Sequence, residues 1–303
     1  MSISNFVPKL WAAAILVPYR KALVYGQQTL ATTRYSGEIK GKGSSVQITT
    51  LNDVTIKSYD KLTDIEIEQL SDGKIDLLID QGDYFAFYVN DVDKAQAAGD
   101  FQGPATQSAG YGLRDKIDGF IANLLVKGVA AANKVGRVKI VYGGGKAGLG
   151  QMLGYDVLVA LQEKLNEQSV PLEGRWVVVP PKFLSAIEND PRFSNVDSAG
   201  TDETLRNGIV KRALGFDILI SNNVPKVGGG TEAKDDLVLL AGVSDAYAFA
   251  DSITETEAIR SEKRFADIVR GLNVYGAAVT RPTALASATA SFEASTYSAP
   301  AAV

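Results

Sequence analysis

Between residues 46 and 57 the sequence alternates in a way that leaves the chain few choices. In Val46-Gln47-Ile48-Thr49 and Val54-Thr55-Ile56-Lys57, set about the turn pair Asn52-Asp53, every second side chain is apolar. A period of two marks a strand with one buried face. The reading is a hairpin with Val46, Ile48, Val54 and Ile56 on one side and Gln47, Thr49, Thr55 and Lys57 on the other. A two-stranded ribbon with a single apolar face is marginal by itself in water, so the chain must lay this one against another surface.

Further strand patterns follow at residues 65–68, 74–77 and 84–89, and then the period changes. Leu113, Ile117, Phe120, Ile121, Leu124, Gly128 and Ala132 recur at spacings of three and four, which draws one stripe along a long amphipathic helix. Asp115, Lys116, Asp118 and Lys127 fall off that stripe, and a looser segment with Gly99, Gly103 and Pro104 precedes it.

Leu153, Val157, Leu161 and Leu165 mark a second helix, and Arg175-Trp176-Val177-Val178-Val179 a buried strand stopped by Pro180-Pro181. A short helix over 182–189, another over 203–214, a strand over 216–220 and a strand over 237–241 after the glycine-containing loop 226–234 complete an α/β block. Residues 246–257 and 272–280 read as two β stretches joined by a basic segment, 260–270, with helical character.

At the two ends the expectations are simpler. Residues 1–35, with Phe6, Trp11, Ile15, Leu16, Tyr19, Leu23 and Tyr25 interrupted by Pro8, Pro18 and Gly26, read as an arm that packs on something. The last twenty, ALASATASFEASTYSAPAAV, read as a mobile tail. No apolar run approaches the ~18 residues a membrane span needs, and no signal peptide or anchor is expected.

What the chain lacks narrows its chemistry. It contains no cysteine and no histidine, which removes disulfides, thiol nucleophiles, imidazole and thiolate zinc sites and the histidine-based triad. Carboxylate, lysine, hydroxyl and tyrosine chemistry remain, with oxygen-ligated cations. The 31 basic and 35 acidic residues are interspersed, for a net charge of −4, which disfavours tight binding to nucleic acid.

Four fragments look like sites. VKIVYGGGKAGLGQML, residues 138–153, runs from a strand into a turn with GxGxxG at Gly143, Gly145 and Gly148 and then a helix. It fails as a phosphate loop of the GxxxxGK[ST] type, because Ala147 follows Lys146 and Ile140 stands where the first glycine belongs. A dinucleotide loop asks for an acid at the end of the next strand; Glu163 and Glu167 lie inside the following helix, and the next strand ends at Pro180-Pro181. A flexible connection is the simpler reading. Ser58-Tyr59-Asp60-Lys61 matches SxxK with no KTG partner. Asn90-Asp91-Val92-Asp93 starts like a calcium loop, but Ala95 and Gln96 replace the required ligand and glycine. Paired carboxylates are too numerous to single one out. No catalytic, cofactor-binding or metal-ligating residue is assigned.

Four stretches taken in order resemble a known family. They are GEIKGKGSSVQITTLNDVTIKSYD, IDQGDYFAFYVNDVDKAQ leading into the long helix, GFDILISNNVP, and RFADIVRGLNVYGAAVTRP. The chain is similar to the major capsid proteins of tailed bacteriophages with the Hong Kong 97 fold. The resemblance implies an α+β fold: an N-terminal arm (1–35) over a neighbouring subunit; an extended β-hairpin loop with its base strands (36–90); a peripheral domain with a spine helix and β-hairpin (91–145 and 245–283); an α/β axial domain (146–244); and a tail (284–303).

It also implies a structural protein, not an enzyme. It would assemble with itself through hexamers and pentamers into an icosahedral head around double-stranded DNA, within a virion built in the host bacterial cytoplasm. DNA contact would be non-specific, no membrane would be involved, and scaffolding, portal and decoration proteins are candidate partners. Any scaffold should be a separate protein or already removed, since no long charged helical extension precedes the fold. Gly143 to Gly150 and Gly228 to Gly230 are expected as hinges or mobile tips. Some family members cross-link a loop lysine to a neighbour's asparagine; Lys40, Lys42, Lys57, Lys61 and Asn273 lie in the corresponding regions, without a motif that assigns a bond. An encapsulin-type compartment shares the fold, and a nucleotide-dependent enzyme is the more distant alternative.

Overall fold

The computed structural model describes residues 23–34, 45–51, 56, 58, 61, 72–90, 102–142, 147–188, 190, 212–227, 236–262, 265–294 and 296. In chain order the strands and helices are β1 (Ser45–Leu51), β2 (Asp72–Leu78), β3 (Gln81–Asn90), α1 (Gln102–Gly128), β4 (Lys134–Tyr142), β5 (Gln151–Met152), α2 (Gly154–Glu167), β6 (Arg175–Val179) and α3 (Pro181–Glu188). There follow β7 (Arg212–Ala213), β8 (Phe216–Ile220), β9 (Lys226–Val227), β10 (Asp236–Val243), β11 (Tyr247–Arg260), β12 (Ala266–Val279) and β13 (Leu285–Ala294).

The larger sheet runs β5-β4-β13-β10-β6-β8-β7, with β9 also paired to β10. The smaller runs β11-β12-β3, and β1 with β2 forms a separate ribbon. On one face of the larger sheet α2 and α3 bury Val157, Leu158, Leu161, Leu165, Phe183 and Ile187 against Val177, Val179, Leu239 and Ala288. On the other face α1 and residues 24–31 pack through Ile121, Leu125, Tyr25 and Leu30 against Trp176, Val178 and Leu240.

The ribbon departs from the sequence reading in an instructive way. Val46 and Ile48 are buried and share one face, and β1 pairs with β2 in the register Val46↔Leu77 and Ile48↔Ile75; the expected partner strand at 54–57 lies, but for Ile56, outside the described residues. The turn pair Asn52-Asp53 lies outside the described residues, as do 65–68. The apolar face rests on Ala248 and Ala250 of β11, beside Ala278 of β12. At its base, therefore, the covering surface comes from the chain itself. Small residues let the backbones approach: a Cβ on Gly276 would overlap the Leu78 carbonyl oxygen and stand 3.0 Å from Ile79 Cα.

Other expectations are corrected as well. The arm assignment ends earlier than residue 35, because Val24, Tyr25, Leu30 and Ala31 are buried in the subunit's own core. The long helix starts at Gln102 and takes in Gly103 and Pro104, since a proline in the first turn forfeits no helical hydrogen bond. Residues 134–142, grouped above with the peripheral segment, form β4 inside the larger sheet. The helical segment at 260–270 is instead the ends of β11 and β12, which pair as far as Arg260↔Asp267. The helix over 203–214 falls mostly outside the described residues; its last part is β7, turned tightly into β8 through Leu214 and Gly215, both at positive φ. The expected tail contains β13, a central strand bonded parallel to β4 and antiparallel to β10.

Gly276→Ala is expected to lower subunit stability by about 2 kcal/mol, because the methyl meets backbone that cannot yield. Gly112→Ala, where nothing lies within 4 Å of the added carbon, should raise it by up to about 1 kcal/mol. Denaturant midpoints of unassembled subunits, compared side by side, check both.

Candidate functional site

The glycine-rich turn comes first, since its sequence looked most like a site. Gly143, Gly145 and Lys146 lie outside the described residues, whereas Gly148 does not. The turn leaves from β4 and returns in β5, which pairs parallel with β4 through Lys139↔Gln151 and Ile140↔Met152. A dinucleotide loop passes straight from strand to helix; here β5 intervenes before α2. Gln151 closes the return: its Oε1 accepts from Gly148 N at 3.1 Å and from Thr296 N and Oγ1 at 3.0 Å. Its Nε2 donates to Ala294 O at 2.9 Å. A side chain at Gly148 would collide with Thr296. The turn is thus fastened at one end and sits within a single sheet, so it is not the joint between two domains that its position suggested. Gly228 to Gly230 lie outside the described residues.

The joint is elsewhere. The chain crosses between the two sheets through two short turns, Ser244–Ala246 and Pro282–Ala284, and a third, Ala131–Asn133, carries it from α1 into β4. These turns are tied together. Ala246 O accepts from Thr280 N at 2.9 Å and Arg281 N at 3.0 Å, and Ala130 N donates to Pro282 O at 3.2 Å. The fully buried Asn133 donates through Nδ2 to Thr283 O at 2.7 Å and Leu285 O at 2.8 Å.

Next to the joint lies a buried carboxylate that sequence reasoning put on the solvent side of α1. Asp118 is 1% exposed. Its Oδ1 accepts from Val24 N at 2.9 Å and Tyr25 N at 2.7 Å, and its Oδ2 from Asn223 Nδ2 at 3.1 Å. Asn223 Nδ2 also donates to Asp115 Oδ1 at 2.7 Å. Burial pushes the Asp118 carboxyl above its usual range, and the hydrogen bonds from Asn223, Tyr25, Val24 and Gly26 offset this only in part. Burial likewise raises the phenols of Tyr25 and Tyr247, with the Asp118 charge adding to both. Tyr247 donates its hydroxyl to Tyr25 O at 2.6 Å. The sequence signal, seen afterwards, is that Asp118 adjoins Ile117, Ile121 and Leu125 on the packed face.

Among the described residues, the outer face of the smaller sheet carries an exposed apolar group, Tyr84, Tyr88, Ile259 and Leu272. Tyr84 stands opposite Leu272, and Ile268 lies between Tyr88 and Ile259 in the registers of β3, β12 and β11. Tyr84 is 76% exposed and Tyr88 53%, with Ile259 and Leu272 also open. One ion pair crosses the middle, Arg270 to Glu257 at 2.7 Å. A contiguous patch of this kind marks an interaction surface. The opposite face is closed by α1, where Phe120 meets Tyr275 edge to face and Asp83 accepts from the Tyr275 hydroxyl at 2.8 Å and pairs with Lys116.

Of the cross-link candidates, Lys40, Lys42 and Lys57 lie outside the described residues and Lys61 is exposed. Asn273 is buried. Among the described residues no three acidic side chains gather to hold a metal ion, and no helix is long and apolar enough to cross a membrane.

Comparison with known proteins places these features. The family described as phage capsid protein matches residues 75–288. A structure from Mycobacterium phage Che8 superposes with a TM-score of 0.73 at 26% identity, covering 95% of this chain and 98% of that one. The capsid of the cyanophage P-SCSP1u gives 0.73 at 17% identity over 96% and 94%, and that of Ralstonia phage GP4 gives 0.62 at 13% over the whole of both chains. The fold is shared throughout. No curated protein sequence matches the chain.

Asn133→Leu removes hydrogen bonds to the buried carbonyl of Leu285 and the part-buried carbonyl of Thr283 and should cost about 1–3 kcal/mol in unfolding free energy. For Asp118 the sign follows from its raised value. Its contribution to stability is complete below the ordinary 3.8 and is lost as pH climbs through the raised folded-state value. Asp118→Asn removes that titration, so the variant's stability relative to the natural protein should improve between about pH 4 and pH 7. Unfolding curves across that range measure it.

Proposed function

The chain belongs to the phage capsid protein family, and on that premise we propose that it acts by assembly, as the major capsid protein forming hexamers and pentamers of a tailed-phage head around double-stranded DNA. The observation that carries the reading is the exposed face of Tyr84, Tyr88, Ile259 and Leu272. A secreted or cytosolic monomer gains nothing by presenting such a face to water, whereas a subunit of a shell covers it with a second copy. Self-association is multivalent: each subunit is held by several neighbours, so individually weak contacts give a stable closed shell.

In this reading the smaller sheet with α1 is the peripheral domain. The larger sheet with α2 and α3 is the axial domain, whose boundary takes in β4 and β13, and the β1–β2 ribbon is the base of the extended loop. The net charge of −4 suits a lining that contacts packaged DNA without gripping it. Scaffolding, portal and decoration proteins are the further partners, and the host cytoplasm is the place of assembly.

Electron microscopy of the purified protein tests this. Icosahedral shells are the expected result, and a discrete monomer or dimer under all conditions would overturn it. Shells filled with a protein cargo in place of DNA would point to a compartment of the encapsulin kind. Replacing Tyr84, 76% exposed, by Asp should lower subunit stability by no more than about 1 kcal/mol, the loss of strand propensity. The same change should abolish shells in the micrographs.

A further inference from the structure

Residues 23–32 form a strap with two fastenings, one on α1 and one at the turn between the two sheets. At one end Asp118 of α1 accepts the backbone N–H groups of Val24 and Tyr25. At the other end Thr32 N donates to Tyr247 O at 3.1 Å, Phe249 N donates to Thr32 O at 3.1 Å, and Thr32 Oγ1 donates to Ser244 O at 3.1 Å. Ser244 opens the turn by which the chain leaves the larger sheet for the smaller. The strap therefore spans from α1 to the joint.

The same carboxylate holds the larger sheet. Asn223, between β8 and β9, is fixed from its own side by Ser221, whose Oγ accepts from Asn223 N at 3.0 Å. Its amide then bridges Asp118 and Asp115 on successive turns of α1. Any rotation of the larger sheet relative to α1 draws Asn223 out of that bridge. Any shift of the Ser244 turn pulls on the strap, whose far end is Asp118.

Three elements distant in sequence thus meet on two oxygens of one buried side chain. The surrounding contacts among Ile121, Leu125, Leu30 and Trp176 are apolar and non-directional, and tolerate sliding in a way that short hydrogen bonds to a charge do not. We propose that Asp118 is a clasp that locks the angle between the two sheets, so that the angle changes only when the carboxylate releases Asn223 or the strap. The clasp rests on the assembly reading for its purpose, since subunits in five-fold and six-fold rings require different angles; its operation can be tested on single subunits.

The test is amide exchange across the full chain, with Asp118→Ala, Asp118→Asn and Asn223→Ala compared to the natural protein. In Asp118→Ala the amides of Val24, Tyr25, Ala130, Thr280 and Arg281 should exchange about tenfold faster or more. Those of β6 and β13 should keep their rates. Asn223→Ala should speed the joint amides Ala130, Thr280 and Arg281 while Val24 and Tyr25 stay protected. Should Asp118→Ala fail to fold, Asp118→Asn serves, since it retains an oxygen for the strap and presents an amide to Asn223; its pattern should then follow Asn223→Ala. Unchanged joint amides in these variants, or acceleration spread evenly over both sheets, would overturn the clasp. Failure of the natural protein to form shells would instead overturn the assembly reading and leave the exchange result standing.

Discussion

The larger sheet holds together through β13. Without it, β5 and β4 would be one fragment and β10, β6, β8, β7 and β9 another, because among the described residues β13 alone joins β4 to β10. Its parallel ladder to β4 reaches from Lys134 to Tyr142, and its antiparallel ladder to β10 from Leu237 to Gly242. Each end of the strand is pinned by an amide side chain: Asn133 takes the carbonyls of Thr283 and Leu285, and Gln151 that of Ala294. Pairings this far apart in sequence carry a large loop-closure cost before they return any stability. The layered core of α2, α3 and the sheet is complete only with residues 285–294 between the two fragments.

The composition of β13 explains its difficulty for a sequence reader. Ala286, Ala288 and Ala290 face the helices, while Ser287 and Ser291 are buried on the other side. None of these is a strong strand former, so a strict period of two was hidden in residues that usually signal a tail. Elements with β-branched or aliphatic runs were legible: the buried strand at 175–179, the strand at 216–220, the helix through Val157, Leu161 and Leu165. There the burial that fixes the element is written in the residues themselves. Partners were legible only when local. The pairing of β1 with β2, in which Leu77 and Ile75 complete the apolar face of Val46 and Ile48, is marked by no turn signal that joins the two strands directly.

Polar residues were misjudged for a related reason. Asp118 was placed in solvent because a carboxylate off the apolar stripe usually lies there. Its partners are the backbone of residues 24 and 25 and a side chain at 223, and no window of the sequence brings these together. The glycines erred in the opposite direction: they mark where a backbone can turn sharply, which is different from where one rigid part swings on another. The turns that connect the sheets, Ser244–Ala246 and Pro282–Ala284, contain no glycine, nor does Ala131–Asn133 between α1 and β4.

Why the subunit keeps a buried charge at such a place follows from what the strap lacks. Residues 24 and 25 have no strand partner, so their N–H groups need an acceptor inside the core, where an unmet donor is costly. An apolar residue at 118 would pack but leave them unpaired, and a hydroxyl would offer one oxygen where Asp118 offers two. Desolvation makes the carboxylate expensive, as its raised pKa records. In return the strap, α1 and the loop at 221–225 are held in one register by directional bonds. A shell built from many copies repeats any angular error at every subunit around a closed ring, and the ring closes only if that error is small. A core that was merely greasy at this point would be stable and imprecise; a buried carboxylate held by backbone and amide donors gives up some stability and fixes the angle.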